Sequence, residues 1–422
     1  MPDSAPIARP GLPPVKPRSA YLHIPFCHRR CFYCDFAVVP LGDRADGGGG
    51  PGAASIESYL ALLLREIRES PSGPPLSTIY LGGGTPSMLT PIQVASLVLA
   101  LQDRYGLAPG AEITLEMDPA TFDDARLHGY LTAGINRVSL GGQSFDDAVL
   151  RDLGRRHSRN DLLQAAGWLQ GARARGALAS WSLDLLQALP GQDLPRWREQ
   201  LEQAIAVEAP HLSVYDLIVE PGTVFERRQR RGELALPEED LGADLMLLTA
   251  ERLAAAGYGH YEVSNYALPG HACRHNRVYW SGAHWWGFGM GATGSPDGVR
   301  EARPRQREAY ATWLNRQRPH AGGVSAPTEP EQEPDGSDWE DRWLVGLRRR
   351  EGVQAHNLFR QAGVGDDEVV ALRCRLERFE RRGLLRVEGP RWRLSDPEGL
   401  ALSNAVLREL LLWWEERQGR GR

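Results

Sequence analysis

Apolar positions along this chain recur in two periods, and the switches between those periods mark its elements. Short apolar runs at residues 20–24, 78–81, 112–117, 137–140, 178–185 and 211–217 read as strands. The stretches between them carry helical spacing: Leu60, Leu63, Leu64 and Ile67 share one face of a helix over 55–69. Further helices are predicted over 91–105, 123–133, 146–153, 160–173, 194–206 and 240–256. Strands that alternate with helices build a parallel sheet from β-α-β units, and strands apolar throughout are those covered on both faces. The fold class is therefore α/β. Periodicity alone leaves a closed eightfold barrel, an open partial barrel and a doubly wound sheet equally open.

Other stretches do not fit this alternation. Residues 1–18 are proline-rich and read as a disordered leader, and 41–54, with four glycines from Gly47, as a flexible insertion. Residues 319–337, rich in Pro, Gly, Glu and Ser, read as a linker. After it an amphipathic stretch at 339–349, helices at 355–362 and 366–382, a hairpin around Gly389-Pro390 and a last helix at 400–416 suggest a winged-helix shape. The expected division is a leader (1–18), a main α/β domain (19–300), a connecting segment (301–338) and a C-terminal domain (339–422).

Composition narrows the function. With 49 basic and 54 acidic residues the formal charge is −5, which gives no sign of a nucleic-acid binder. Arg373, Arg375, Arg378, Arg381 and Arg382 are interleaved with Glu377 and Glu380, the pattern of a salt-bridged, solvated helix rather than a DNA-reading one. No apolar stretch approaches the ~18 residues of a membrane span, and the N-terminus carries no secretion signal. A cytoplasmic protein that is not integral to a membrane is expected. Five cysteines, three of them clustered, do not make a disulfide framework and fit a reducing compartment.

Those three carry the chemistry. Cys27, Cys31 and Cys34 lie in Tyr21-Leu22-His23-Ile24-Pro25-Phe26-Cys27, continuing to Tyr33-Cys34, so one short loop offers three thiolates; position 36 is Phe36 and supplies no fourth. Iron–sulfur clusters usually take four thiolates, so three around a four-iron cluster leave one iron open. A zinc site would pair its first two cysteines with a second Cys/His pair, and none follows. The loop resembles the C-x3-C-x2-C motif of the radical S-adenosylmethionine (SAM) superfamily. The Tyr-x-His-Ile-Pro-Phe-Cys lead-in is similar to the coproporphyrinogen III dehydrogenase branch, which includes the HemW family.

The resemblance implies a partial (β/α)6 barrel, a [4Fe–4S] cluster on the three cysteines, and SAM chelating the open iron and cleaved there to a 5′-deoxyadenosyl radical. Polar residues stand at the predicted strand ends, where barrels of this kind place their sites: Gly82-Gly83-Gly84-Thr85, Glu116, Gln143, Asp184, and Arg155 just beyond. The matching family positions imply SAM contacts at Tyr21, Tyr33, Gly83, Gly84, Thr85, Glu116, Gln143, Arg155 and Asp184, with less secure register at Ile218 and Thr293. Arg155 is suited to pairing bidentately with the SAM carboxylate. The C-terminal region would cap the barrel mouth.

A second constellation follows at His275-Asn276-Arg277-Val278-Tyr279-Trp280. A histidine beside aromatics is often a packed core residue, but the string resembles the H-N-x-x-Y-W signature of the HemW family, which implies His275 as a heme ligand. Cys273 and Cys374 read as structural. The leading expectation is a radical SAM heme chaperone that delivers heme to a membrane-associated protein such as a respiratory cytochrome, with room for a homodimer. The alternative is an oxygen-independent coproporphyrinogen III dehydrogenase; a zinc or scaffold protein comes third. Phe36 where that dehydrogenase has a further cysteine, the Glu220-Pro221-Gly222-Thr223 turn and the His275 string favour the first, without dehydrogenase activity.

Overall fold

The structure is a computed structural model that describes residues 16–42, 51–317 and 338–420. The leader, most of the glycine-rich insertion and the linker lie outside the described residues, apart from the ends named here. Six strands form in sequence order as one parallel array: β1 (Ser19–Ile24), β2 (Leu76–Gly83), β3 (Leu107–Met117), β4 (Arg137–Gln143), β5 (Ser180–Gln187) and β6 (His211–Asp216). Between them run α1 (Pro51–Glu69), α2 (Pro91–Tyr105), α3 (Asp124–Thr132), α4 (Asp147–Asp152), α5 (Arg159–Ala174) and α6 (Leu194–Ala206). The α/β class is the one the alternation predicts, and the open parallel array is the partial barrel that the family resemblance implies.

Local chemistry explains why the helices start where they do. Thr90 and Ser158 close capping boxes with Gln93 and Asp161, while Asp123, Asp146 and Asp193 cap α3, α4 and α6. Helix α1 begins at Pro51, four residues before the expected start at 55, because proline is well tolerated in a first helical turn. The strands are buried on both faces but unequally in chemistry. On β5, Trp181, Leu183 and Leu185 join the apolar core, whereas Ser182 and Asp184 take the alternate positions. Ser182 meets Ser139 of β4 at 2.9 Å, and Ser139 donates to Asp184 at 2.8 Å, so the barrel interior is lined by a hydrogen-bonded polar row.

The sheet extends past these six strands. After α7 (Val224–Arg230) and α8 (Glu239–Ala255), a hairpin of β7 (Gly259–Glu262) and β8 (Asn265–Ala267) adds antiparallel to β6. Helix α9 (Arg274–Trp280) then leads to β9 (Trp286–Phe288), which pairs parallel with β1 at the opposite edge. The order is β9-β1-β2-β3-β4-β5-β6-β8-β7, nine strands among the described residues.

Helix α10 (Arg307–Arg316) packs on α1. The C-terminal region has its own apolar cluster around Trp343, Phe359, Leu376 and Trp392. It comprises α11 (Asp338–Leu347), β10 (Val353–Gln354), α12 (Ala355–Gln361), α13 (Asp366–Arg381), the hairpin β11 (Leu385–Glu388) and β12 (Arg391–Leu394), α14 (Glu398–Ala401) and α15 (Ser403–Arg420). On α13, Arg373, Arg375, Arg378 and Arg381 pair with Glu380, Glu409 and Glu416, Glu409, and Glu377 respectively. This region docks on α8, α9 and β7, through Val263 N–H to the Arg348 carbonyl at 2.9 Å and His260 Nδ1 to Asp396 at 2.6 Å.

Candidate cofactor site

The cysteine loop leaves β1 and is held from three sides. Phe32 N–H donates to the Leu153 carbonyl and Phe225 N–H to the Phe32 carbonyl, both at 3.0 Å, while Arg29 donates to the carbonyls of Gly154 and Arg155 at 2.8 and 2.6 Å. Thr223, from the Glu-Pro-Gly-Thr turn, caps α7 and thereby sets Phe225 beneath Tyr33, ring centroids 6.5 Å apart. Cys27, Cys31 and Cys34 are all free thiols and half-buried. Burial pushes the Cys27 thiol up to about 12, although the Thr85 hydroxyl donates to its sulfur at 3.5 Å, and raises Cys34 as well. Such thiols hold their protons until a metal centre displaces them.

Among the described residues no three His, Cys, Asp or Glu side chains converge on a single metal-ion position. The thiolates of a four-iron cube each bind a different iron, so they need not meet at one metal-ion position. The chemistry of three loop thiols facing polar strand ends fits a cluster with an open iron. Orphaned buried polar atoms lie in the same region: Arg155 Nε and Asp184 Oδ1 have no hydrogen-bond partner among the described residues.

Of the strand-end residues, Thr85 and Arg155 reach the cysteine sulfurs directly. Gly83, Gly84 and Thr85 spend their amides on the protein: Gly83 N–H donates to Glu116 Oε2 at 2.9 Å, Gly84 N–H to the Ile24 carbonyl at 2.8 Å and Thr85 N–H to the Phe26 carbonyl at 2.7 Å. These three amides are thus committed within the fold. Gly84 is needed because a Cβ there would lie 2.7 Å from the Phe26 carbonyl oxygen, so its absence lets the loop lie against the cysteine segment. Gln143, the last residue of β4, sits at φ 66 beside a bulge. Tyr21 donates to His23 Nδ1 at 3.1 Å, and His23 Nε2–H donates to the Ala37 carbonyl at 2.9 Å. Ile218 is exposed beyond β6, and the Thr293 carbonyl accepts the Trp285 indole N–H.

Arg155 has a partner that the sequence did not single out. Its Nη2 pairs with Asp118 at 2.9 Å and donates to the Gly141 carbonyl at 2.8 Å, while Nη1 reaches Cys31 Sγ at 3.6 Å. Asp118 lies two residues beyond Glu116, at the end of β3, and that position was the only signal available. The guanidinium is thus already committed to one carboxylate, leaving Nε as its unpartnered nitrogen. His157 adds to the cluster: its Nε2–H donates to the Gly142 carbonyl at 3.0 Å, and burial together with Arg155 keeps it neutral.

Burial raises Glu116 to about 7, against the opposing pull of the Gly83 N–H, and raises Asp184 too. For a buried carboxyl the sign is clear: between the unfolded value near 4.5 and about 7 the folded state binds the extra proton, so that contribution is present at low pH and lost as pH rises through 7. Glu116→Gln in the apoprotein is therefore expected to be more stable than wild type at pH 8 and to lose that advantage by pH 5. The difference is about 3 kcal/mol, and urea unfolding at the two pH values checks it. Glu262, raised to about 7 by burial, responds alike in both proteins and cancels.

His275 lies elsewhere. It is fully buried in the barrel floor on α9, its Nδ1 2.8 Å from the Thr78 hydroxyl and its Nε2 2.8 Å from the Tyr279 hydroxyl. Burial drives its pKa down to about 3, so it is neutral. Glu112 anchors α9 by accepting from Arg274 N–H and His275 N–H at 3.1 and 3.0 Å. Cys273, fully buried, caps this helix by accepting the Asn276 N–H, a structural role. Stacked rings join the two constellations: Tyr21 on Tyr80 at 6.2 Å and Tyr80 on His275 at 5.2 Å.

The model of the radical SAM superfamily matches residues 21–194. The chain is 39% identical to the heme chaperone HemW of Synechocystis sp. over 95% of this chain and 98% of that one. It is 38% identical to the HemW of Escherichia coli, over 70% and 76% of the two chains. Among solved structures, coproporphyrinogen III oxidase (HemN) of Escherichia coli superposes with a TM-score of 0.73 at 21% identity, covering 94% of this chain and 90% of that one, a likeness of fold. A parallel barrel, a three-cysteine loop at its strand ends and identity to HemW along nearly the whole chain place this protein in the HemW family of the radical SAM superfamily.

Proposed function

We propose that this protein is a heme carrier that holds a [4Fe–4S] cluster on Cys27, Cys31 and Cys34, binds SAM, and passes heme in the cytoplasm to membrane-associated hemoproteins such as respiratory cytochromes. The observation that carries this reading is the identity to a heme chaperone across 95% of the chain. Among the described residues no helix is long and apolar enough to cross a membrane, consistent with a carrier that visits the membrane rather than spans it.

In this reading Tyr21, Tyr33, Gly83, Gly84, Thr85, Glu116, Gln143, Arg155 and Asp184 form the SAM site. The bound cluster would supply one-electron chemistry at an iron open to SAM. Glu116 and Asp184 offer acceptors to the ammonium and ribose groups, and Asp118 keeps Arg155 oriented for the carboxylate. Adding heme and coproporphyrinogen III separately to the anaerobic, reconstituted protein tests the function. Heme binding without decarboxylation is expected; turnover of coproporphyrinogen III would assign the chain to the dehydrogenase reaction instead.

Heme ligation by His275 requires its bond to Tyr279 to open, since neither ring nitrogen is otherwise available. Removing that bond without removing the ligand should then help. Tyr279→Phe is expected to bind heme more tightly by about 5- to 10-fold, one hydrogen bond's net worth. His275→Ala is expected to shift the Soret band and weaken binding, while His271→Ala, whose ring meets Ser180, leaves both unchanged. Equal spectra and affinities in wild type and His275→Ala would remove this histidine as the ligand.

A further inference from the structure

Helix α9 has two working faces. His275 and Tyr279, one turn apart, face the barrel floor. Trp280, about 140° further round the helix from His275, faces the C-terminal region, where it borders a cleft of about 360 Å³. Three arginines line this cleft, Arg342 of α11, Arg349 of the turn after α11, and Arg391 of β12, and none of the described residues lining it is acidic.

The partners of these arginines leave positive charge unspent. Arg342 donates to the Gln361 carboxamide and Arg391 to the Glu351 carbonyl at 2.7 Å, both neutral acceptors; the Glu388 carboxylate opposite Arg391 on the hairpin is hydrogen-bonded by Arg393. Arg349 pairs with the Glu351 carboxylate at 3.5 Å, but that carboxylate also serves Arg277. One carboxylate thus faces two guanidiniums at the rim, with two more guanidiniums on neutral acceptors beside it. Arginine forks match carboxylates in geometry as well as charge, and the indole of Trp280 offers an apolar ring face to a planar ligand.

We propose that this cleft binds the carboxylates of a planar, dianionic tetrapyrrole, with Arg342 and Arg391 on the acid groups and Trp280 against the ring. The assignment rests on the heme-carrier reading and adds to it a docking site that needs neither iron nor His275. It lies on the face of α9 turned away from the barrel, so a tetrapyrrole could be held there with the His275–Tyr279 bond still closed.

Metal-free protoporphyrin IX and its dimethyl ester, titrated into the full-length protein and followed by porphyrin fluorescence, test it. Wild type should bind the diacid about 100-fold more tightly than the dimethyl ester, the scale of two charge-assisted hydrogen bonds. Arg342→Gln and Arg391→Gln should each lose about tenfold for the diacid and little for the ester, and His275→Ala should bind the metal-free diacid as wild type does. Arg342 touches only Gln361 among the described hydrogen bonds, so its variant stands as the test if Arg391→Gln fails to fold. Unchanged diacid affinity in Arg342→Gln would overturn the cleft assignment and leave a Soret response to His275→Ala intact. No binding of heme or porphyrin by wild type would overturn the carrier reading, and the cleft with it.

Discussion

Alanine at any one of Cys27, Cys31 or Cys34 is expected to abolish a centre that anaerobic reconstitution builds at about four irons per chain. The loop offers three thiols and the neighbouring residues no replacement: Cys273 is buried at the N-cap of α9 on the barrel floor and Cys374 is exposed on α13. Two thiolates cannot hold the cube, so the effect is loss rather than weakening. Iron and sulfide analysis with the absorbance near 400 nm, typical of such clusters, measures it. Cys374→Ala is the matched control and should keep full iron content. Stoichiometric zinc in place of iron after anaerobic purification would sink the cluster assignment.

A second large effect is expected at Glu66 on α1, far from the thiols in sequence. This buried carboxylate accepts from Gly289 N–H at 2.7 Å, from the Tyr310 hydroxyl at 2.6 Å and from Arg303 Nε at 3.0 Å. It thereby ties the loop after β9, α10 and the segment between them to the barrel. Arg303 is itself 9% exposed and lies over the Trp313 ring at 4.9 Å. Its other carboxylate, on the mostly exposed Glu301, is 3.4 Å away. Deleting one partner of a buried ion pair leaves the other charge uncompensated, at a cost of about 3–5 kcal/mol. Glu66→Ala should therefore lower the apoprotein's unfolding free energy by that amount in urea, and Glu66→Gln, which keeps an acceptor oxygen, by less. A loss below about 1 kcal/mol for Glu66→Ala would show that Arg303 finds solvent or another partner.

Much of the site is legible one residue at a time. The cysteine loop reads directly because three ligands lie within eight residues of one another, where chain connectivity alone keeps them close. Glu116 and Asp184 read from their places at strand ends, since neighbouring parallel strands in sequence order put those ends side by side. Asp118 does not read in this way. Its importance comes from a partner 37 positions away, Arg155, and an acidic residue before Pro119 looks like an ordinary helix cap, which it also is. The H-N-x-x-Y-W string was visible as a motif, but its direction was not. Whether His275 points at a ligand or into the barrel floor depends on how Glu112 and Thr78 present themselves to α9.

The sequence by itself determined the element types, their alternation and the parallel array, because periodic burial is a local property written every two or 3.6 residues. It also determined the three-thiol loop and the separate apolar pattern of the C-terminal region. Only the tertiary structure decided that β9 returns to pair with β1, that the glycine loop spends its amides on β1 and Glu116, and that α9 turns one face to the barrel and the other to an arginine-lined cleft. Each of these joins residues far apart in the chain. Such pairings are selected by which buried polar groups satisfy one another once the layers close, a condition on the whole fold that no local period records.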